Sequence, residues 1–124
     1  MINNDTSEDV NAIIEQIFAD FEVDGVEIPV KWQYYDGHED AYIVYTTTDK
    51  TDVLRADDDV QAFVQYVDFG VYSKGNYTNI VKALKSKLIE NNFMWNPEGD
   101  LDDMYNEDTK YYIKVMNFAI ERST

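Results

Sequence analysis

Cysteine is absent from the 124-residue sequence, and histidine occurs only once. The absence of cysteine excludes thiolate nucleophiles, disulfides and cysteine-based zinc sites. No apolar run approaches the roughly 18 residues that a membrane-spanning helix needs. The first ten residues, MINNDTSEDV, also lack the basic and apolar regions of a secretory signal. The sequence therefore predicts a soluble protein that is made in the cytoplasm and has no contact with a membrane.

Basic residues are scarce, because 10 lysines and arginines stand against 25 aspartates and glutamates and give a formal net charge of −15. Such a charge repels the phosphates of nucleic acids, so we do not expect a nucleic-acid-binding protein. Copies of the chain also repel each other. Any assembly must then depend on specific, complementary patches.

The apolar content is nevertheless that of a folded protein, with 44% hydrophobic and 15% aromatic residues. Disordered acidic chains lack such content. A chain of this length has the size of one domain and can bury a core without disulfides or a metal. We predict a single domain over residues 1–124, in which residues 1–5 form a disordered tail.

Two segments have the apolar periodicity of amphipathic helices. The first lies between Val10 and Phe21, and Thr6 or Ser7 can cap it. The second covers about residues 76–91 and begins at the potential cap Asn76. Its apolar stripe consists of Tyr77, Ile80, Val81, Leu84 and Leu88.

Several other segments have the composition of strands. Residues 26–34 alternate between apolar and polar side chains, and residues 41–48 are rich in β-branched and aromatic ones. The segment 36–40 (DGHED) between them is therefore predicted to be a hairpin turn. Residues 49–59 have no clear period and are predicted to be an exposed connection.

Residues 60–72 have apolar side chains at both odd and even positions, which predicts a long central strand with both faces partly covered. Gly70 within it indicates a bulge or a close backbone approach. Residues 93–95 and 109–121 predict two further strands. The order of elements predicts an α+β domain with a mostly antiparallel sheet of about five strands, on which both helices pack.

The segment Ser73-Lys74-Gly75-Asn76 joins a strand to a helix, as phosphate-binding loops do. A Walker loop requires G-x-x-x-x-G-K-[ST], whereas this segment has one glycine, which follows the lysine. The free N–H groups at the start of the helix could still accept an anion. The pattern favours a turn that begins the helix over a nucleotide site.

Candidate metal ligands occur in two places. His38 lies among carboxylates in the DGHED segment, but adjacent residues of a turn point apart, which favours a solvated turn. The acidic loop, residues 98–108, does not match the EF-hand calcium template, which favours a solvated loop. The ten tyrosines are explained by strand packing. We therefore expect no catalytic site, no cofactor and no metal.

Four of the ten basic residues lie within 14 positions, and we name them the basic face: Lys74, Lys82, Lys85 and Lys87. The second helix directs its lysines away from its apolar stripe. The basic face is either solvated or docks an acidic patch. The candidate patch is the acidic loop of an identical neighbour, with contact residues Glu98, Asp100, Asp102 and Asp103. Such a head-to-tail contact closes into a ring.

Two blocks of the sequence carry a family resemblance: VDFGVYSKGNYTNIVKALKSKLIENNF (67–93) and LDDMYNEDTKYYIKVMNFAIE (101–121). They resemble the small tail completion, tail terminator or head–tail joining proteins of tailed bacteriophages and prophages of Gram-positive bacteria. The likeness is strongest from Tyr72 to Tyr77 and in the acidic, tyrosine-rich stretch from Tyr105 to Tyr112. It covers roughly residues 26–121. A histidine that the family often has near the position of Ile113 is missing here.

The resemblance implies an α+β subunit that forms a ring, usually a hexamer, without catalytic residues or a cofactor. The ring would cap the tail tube, contact the tube protein and the head connector protein, and reside in the virion after assembly in the host cytoplasm. DNA would pass through the ring without specific binding. DNA releases no counterions when it meets a negatively charged wall, so nothing favours binding of DNA to such a wall. We therefore predict that Asp57, Asp58 and Asp59, or the acidic loop, face the channel.

Three alternatives remain open from the sequence. A head-closure or other connector protein of the same phage would differ in the partner that it binds. A small enzyme could use the acidic loop with a divalent metal. An acidic DNA mimic would occupy a basic groove, although its signature is dense carboxylates on one face and the acids here are spread along the chain.

Overall fold

The computed structural model of the chain describes residues 6–56 and 59–123, and side chains over residues 10–47 and 62–122. The predicted tail, residues 1–5, lies outside this range. The elements in chain order are α1 (Thr6–Ile17), β1 (Glu22–Val23), β2 (Val26–Glu27), β3 (Val30–Trp32), β4 (Ala41–Ala56), β5 (Asp59–Ser73), α2 (Thr78–Glu90), β6 (Phe93–Trp95), a 3-10 turn (Pro97–Gly99), β7 (Met104–Asn106) and β8 (Tyr111–Ser123).

Six of the strands form one sheet in the order β3-β4-β5-β8-β6, and β7 pairs with β8 on the same side as β6. All neighbours are antiparallel except β3 and β4. β1 and β2 form a separate short hairpin. The predicted α+β fold, with an N-terminal helix and a second helix on a mostly antiparallel sheet, is confirmed.

The prediction of one strand over residues 26–34 followed by a hairpin is wrong. The strand is interrupted at Pro29, which has no N–H group for a ladder, and its carbonyl instead accepts the Ile43 N–H at 2.8 Å. β3 then runs parallel to β4, with Val30 opposite Ile43. β3 ends at Trp32, and the next residue, Gln33, has a left-handed φ of 63°. Because β3 and β4 are parallel, the segment 33–40 runs back past the three residues of β3 to the start of β4. It does not form a tight turn between two antiparallel strands.

The prediction of an exposed connection over residues 49–59 is also wrong, because β4 continues to Ala56 and stays paired with β5. The register shifts between Thr47 and Thr51, and the extra residues break the alternation that a strand normally shows. Gly70 shows no bulge, since it pairs regularly with Val44. The close approach at Gly70 is made by a side chain and not by the backbone, since a Cβ there would be 3.2 Å from the Tyr72 Cε1 and 3.6 Å from the Val44 carbonyl oxygen.

The core lies between the helices and one face of the sheet. α1 buries Val10 and Ile14, and α2 buries three residues of its predicted stripe: Ile80, Leu84 and Leu88. Phe69 is at the centre, fully buried, with its ring centroid 5.7 Å from that of Phe118 and 5.8 Å from that of Tyr45. Both helices thus occupy the face to which β5 directs its odd-numbered side chains.

Candidate interaction surface

The turn between β5 and α2 is closed by its own side chains. The Ser73 hydroxyl accepts the Gly75 N–H at 3.2 Å, and the Asn76 side-chain oxygen accepts the Thr78 N–H at 2.8 Å. The helix cap itself is Tyr77, one residue after the predicted cap. Two N–H groups that an anion would need are therefore already bonded, which favours a turn over a phosphate site.

The basic face is largely available to other molecules. Lys74, Lys82 and Lys87 are exposed, whereas Lys85 is half-buried. The Lys85 Nζ lies 3.8 Å from the centroid of the Trp95 ring, within the range of a cation–π contact. Among the side chains that the structure describes, none forms an ion pair with these four lysines.

Trp95 brings the basic face and the acidic loop together within one chain. Its indole Nε1 donates to Asp100 at 3.0 Å, while its ring faces the Lys85 ammonium. Lys85 and Asp100 therefore already have partners in their own subunit. A contact between neighbours would have to use the more exposed members of each set.

Asp103 is held in the same way at the start of α2. Its carboxylate accepts the Tyr77 hydroxyl at 2.6 Å and lies 3.0 Å from the Lys114 Nζ. The Tyr77 hydrogen bond and then Lys114 lower the pKa of Asp103, and the same hydrogen bond raises the pKa of Tyr77 to about 12. Asp103 thus fastens the acidic loop to the fold.

The remaining residues predicted to form the contact or to line the channel differ in how far the structure describes them. Glu98 and Asp102 are exposed and make no hydrogen bond or ion pair with the described part of the chain. Asp57 and Asp58 lie outside the described residues. Asp59 begins β5 opposite Ala56, but its side chain is outside the described set. The assignment of these three acids to a channel stays a prediction.

Asn117 organises a polar network that the sequence did not indicate. Its backbone N–H donates to Asp100 at 2.8 Å, and its Nδ2 donates to Asp68 at 2.7 Å. Its Oδ1 accepts the Asn96 Nδ2 at 2.8 Å. Only 7% of Asn117 is exposed, so these bonds are shielded from water. In the sequence, the polar residue Asn117 within the apolar run VMNFAI (115–120) is the feature that could have indicated this network.

Tyrosines cluster at the end of the sheet beside the exposed His38. Tyr42 stacks on Tyr72 with centroids 4.8 Å apart and meets Tyr111 edge-on at 5.3 Å. The Tyr111 hydroxyl donates to the Glu39 carbonyl at 2.6 Å. Burial is the largest cause that raises the pKa values of Tyr42 and Tyr111. Both phenols stay protonated at neutral pH and act as packing groups.

Among the side chains described over residues 10–47 and 62–122, no three His, Cys, Asp or Glu side chains are grouped so that they could hold a metal ion. Within residues 6–56 and 59–123, no helix has the length and apolar character needed to cross a bilayer.

The sequence matches no protein-family model, and no curated protein is significantly similar to it.

Proposed function

We propose that the protein is a non-catalytic structural component of a tailed bacteriophage, of the tail completion or terminator type. It forms a ring, with six copies in the assembled tail, that caps the tail tube and joins it to the head. Its partners are its own copies, the tail tube protein and the head connector protein. It acts in the virion, after assembly in the cytoplasm of the bacterial host.

The observation that carries this proposal is the way in which the two resembling blocks fold together. Block 67–93 forms the C-terminal half of β5, then α2 and the first residue of β6, and block 101–121 forms β7 and most of β8. The blocks are joined by the β5–β8 ladder, in which Val67 lies opposite Phe118, and by β6, in which Phe93 lies opposite Ile120. The likeness thus falls on one continuous structural unit.

A second observation supports self-assembly. On a chain of net charge −15, Lys82 and Lys87 are exposed without an acidic partner among the described side chains. Glu98 and Asp102 are the matching exposed acids of the acidic loop. Pairing of these residues between neighbours would offset part of the self-repulsion and would define a head-to-tail contact.

The proposal is tested by native mass spectrometry and negative-stain microscopy of the purified protein, alone and with tail tube polymers of the same phage. Rings, or rings that appear only on tube ends, are the expected result. Binding to the head connector but not to the tube would instead identify a head-closure protein. Failure to form rings or to bind either component would refute the phage role.

The docking residues are tested with Lys82→Glu/Lys87→Glu, which should abolish ring formation. The matched control is Lys31→Glu/Lys110→Glu, because both control lysines are also exposed and the change in net charge is identical. If both variants assemble equally, the basic face is not the docking surface.

A further inference from the structure

A cavity of about 380 Å³ lies at the end of the sheet where the tyrosines cluster. We name it the tyrosine cavity, and its floor consists of Tyr42, Tyr72, Tyr111 and Ile113. Its other lining residues belong to the segment 33–40, to the residue after β5, and to the end of β7 with the turn that follows it. Sites for small molecules usually have volumes of about 300–1,000 Å³. The cavity therefore has the size to bind a small molecule.

The floor is built from one level of three neighbouring strands. Tyr42 on β4 lies opposite Tyr72 on β5, and Tyr72 lies opposite Ile113 on β8, so all three side chains point to the same face. The rings of Tyr42 and Tyr72 are stacked at an angle of 7°, and the Tyr111 ring meets that of Tyr72 edge-on at 6.3 Å. A floor of aromatic rings and one aliphatic side chain suits a ligand with a flat, apolar body.

An ammonium group lies at the side of this floor. The Lys74 Nζ is 5.2 Å from the centroid of the Tyr111 ring, within the range of a cation–π contact. Lys74 is exposed, and none of the carboxylates whose positions are described pairs with it. A ligand that carries an anionic group could therefore bind the ammonium without displacing it from the ring.

The polar side chains beside Lys74 also offer hydrogen-bond donors. The Asn106 Oδ1 accepts the backbone N–H groups of Asp108 at 2.9 Å and of Thr109 at 3.1 Å. These two bonds use the acceptor of the amide and leave its Nδ2 group to bind a ligand. The His38 imidazole, which also lines the cavity, has an N–H donor in either protonation state. This set of donors suits a ligand with acceptor oxygens.

Acidic side chains do not line the tyrosine cavity within the part of the chain that the structure describes, although the sequence has 25 acids against 10 lysines and arginines. Glu39 is nearby in sequence, but its carboxylate accepts the Tyr35 hydroxyl at 2.6 Å. Asp40 lines a different groove, together with Val26. The negative charge of the whole chain opposes an anion, but salt screens it beyond about 8 Å, whereas Lys74 would contact the ligand directly.

We propose that the tyrosine cavity binds a small aromatic carboxylate, whose ring lies on the floor and whose carboxylate is bound by Lys74 and by the Asn106 Nδ2 group. An aromatic ammonium ion could also contact tyrosine rings, but it would meet the Lys74 ammonium. A neutral aromatic compound would leave Lys74 without an anionic partner. The charge of the ligand is therefore the property that the cavity selects.

This site does not depend on the phage role proposed above. The variants that test subunit docking change Lys82 and Lys87, and neither residue lines the cavity. Loss of ring formation in those variants should leave ligand binding intact. The failure of one proposal can thus be distinguished from the failure of the other.

The first test titrates the full wild-type chain with three probes of similar shape, benzoate, benzamide and benzylammonium, and follows the backbone amide signals by NMR. Benzoate should cause saturable shifts around residues 37–42, 72–74 and 106–113, with a dissociation constant at least about tenfold below that of benzamide. Benzylammonium should bind more weakly than either. The absence of saturable shifts with benzoate, or equal affinity for benzylammonium, overturns the proposal.

The second test compares Lys74→Met with the wild type, because methionine removes the ammonium and keeps an unbranched apolar side chain. The dissociation constant for benzoate should rise by about tenfold or more, while that for benzamide should stay unchanged. Lys82→Met is the matched control, since it makes the same change in charge at an exposed site outside the cavity. Equal benzoate affinity of Lys74→Met and Lys82→Met contradicts the role of Lys74.

A third test addresses the floor. Tyr72→Leu removes one ring and should weaken benzoate and benzamide by the same factor, because both probes place a ring on the floor. Tyr105→Leu is the control, since Tyr105 is 47% exposed and does not line the cavity. The amide spectrum of each variant without a probe checks the fold. Unchanged binding of both probes to a folded Tyr72→Leu variant would place the ligand elsewhere and overturn the proposal.

Discussion

Gly99 lies so close to Asn117 that no side chain fits between them. A Cβ atom on Gly99 would be 2.8 Å from both the Cβ and the Cγ of Asn117. Asn96 and Asp100, on either side of this glycine segment, are hydrogen-bonded to Asn117. The absence of a side chain at position 99 therefore allows the start of the acidic loop to lie on β8.

Gly99→Ala is expected to lower the free energy of unfolding by about 1–3 kcal/mol, the usual cost of forcing an extra methyl group into a packed site. The measurement is urea denaturation of the variant and the wild type. Gly75→Ala is the matched control, since a Cβ there would meet nothing within 4 Å. The control should stay within about 1 kcal/mol of the wild type. Equal stability of Gly99→Ala and wild type would contradict the close contact.

Asn117→Ala is expected to destabilise the fold by about 2 kcal/mol, because it leaves Asp68 and Asn96 without their buried partner. The backbone bond to Asp100 stays possible, so the loss is partial. Asn91→Ala is a suitable control. Its side chain makes one hydrogen bond, to the Lys87 carbonyl, at an exposed site. A cost for Asn117→Ala no larger than that of Asn91→Ala would mean that the network is not shielded from water.

Periodicity predicted much of the fold. Both helices bury one face each, and a buried face leaves a regular apolar spacing in the sequence. β5 and β8 were predicted from long apolar and aromatic runs, and β8 buries consecutive residues from Met116 to Ile120, which belong to both of its faces. The direction of β3 was not predictable in this way, because alternation reports which side chains are covered and not which neighbour a strand pairs with. The second half of β4 was missed because its irregular register removes the alternation.

The contact between Lys85 and Trp95 is expected to contribute about 0.5–1 kcal/mol, the range for partly exposed cation–π pairs. A double-mutant cycle with Lys85→Met and Trp95→Leu, followed by urea denaturation, isolates this coupling. The same cycle with Lys82 and Trp95 is the control, because Lys82 is exposed on the same helix without this ring contact. Equal coupling energies in the two cycles would show that the Lys85 ammonium does not bind the ring.

The accessible lysines of α2 were predictable because helical spacing alone places them opposite the stripe of Ile80, Leu84 and Leu88. The partners of Lys85 and Asp100 were not. They depend on Trp95, which reaches both only because β6 returns along β8 next to α2. Contacts of this kind are set by the meeting of distant segments, which a local pattern does not encode.

The hydrogen bond between Tyr77 and Asp103 should make stability depend on pH at both ends of the scale. The pKa of Asp103 is lowered from 3.8 in the fold, so its contribution is present above that value and is lost as the pH falls through the lower folded value. The pKa of Tyr77 is raised from 10.0 to about 12, so its contribution is complete below pH 10.0 and is lost as the pH rises toward 12.

Tyr77→Phe removes this bond and is expected to cost no more than about 1 kcal/mol, because Asp103 is exposed to solvent and Tyr77 is only partly buried. The difference in unfolding free energy between wild type and variant, measured by urea denaturation, should be constant from about pH 5 to 9 and should shrink below pH 4 and above pH 10. Tyr34→Phe is the control, since Tyr34 is 73% exposed, and it should change little at any pH. A difference for Tyr77→Phe that is the same at every pH would mean that Tyr77 contributes by packing alone.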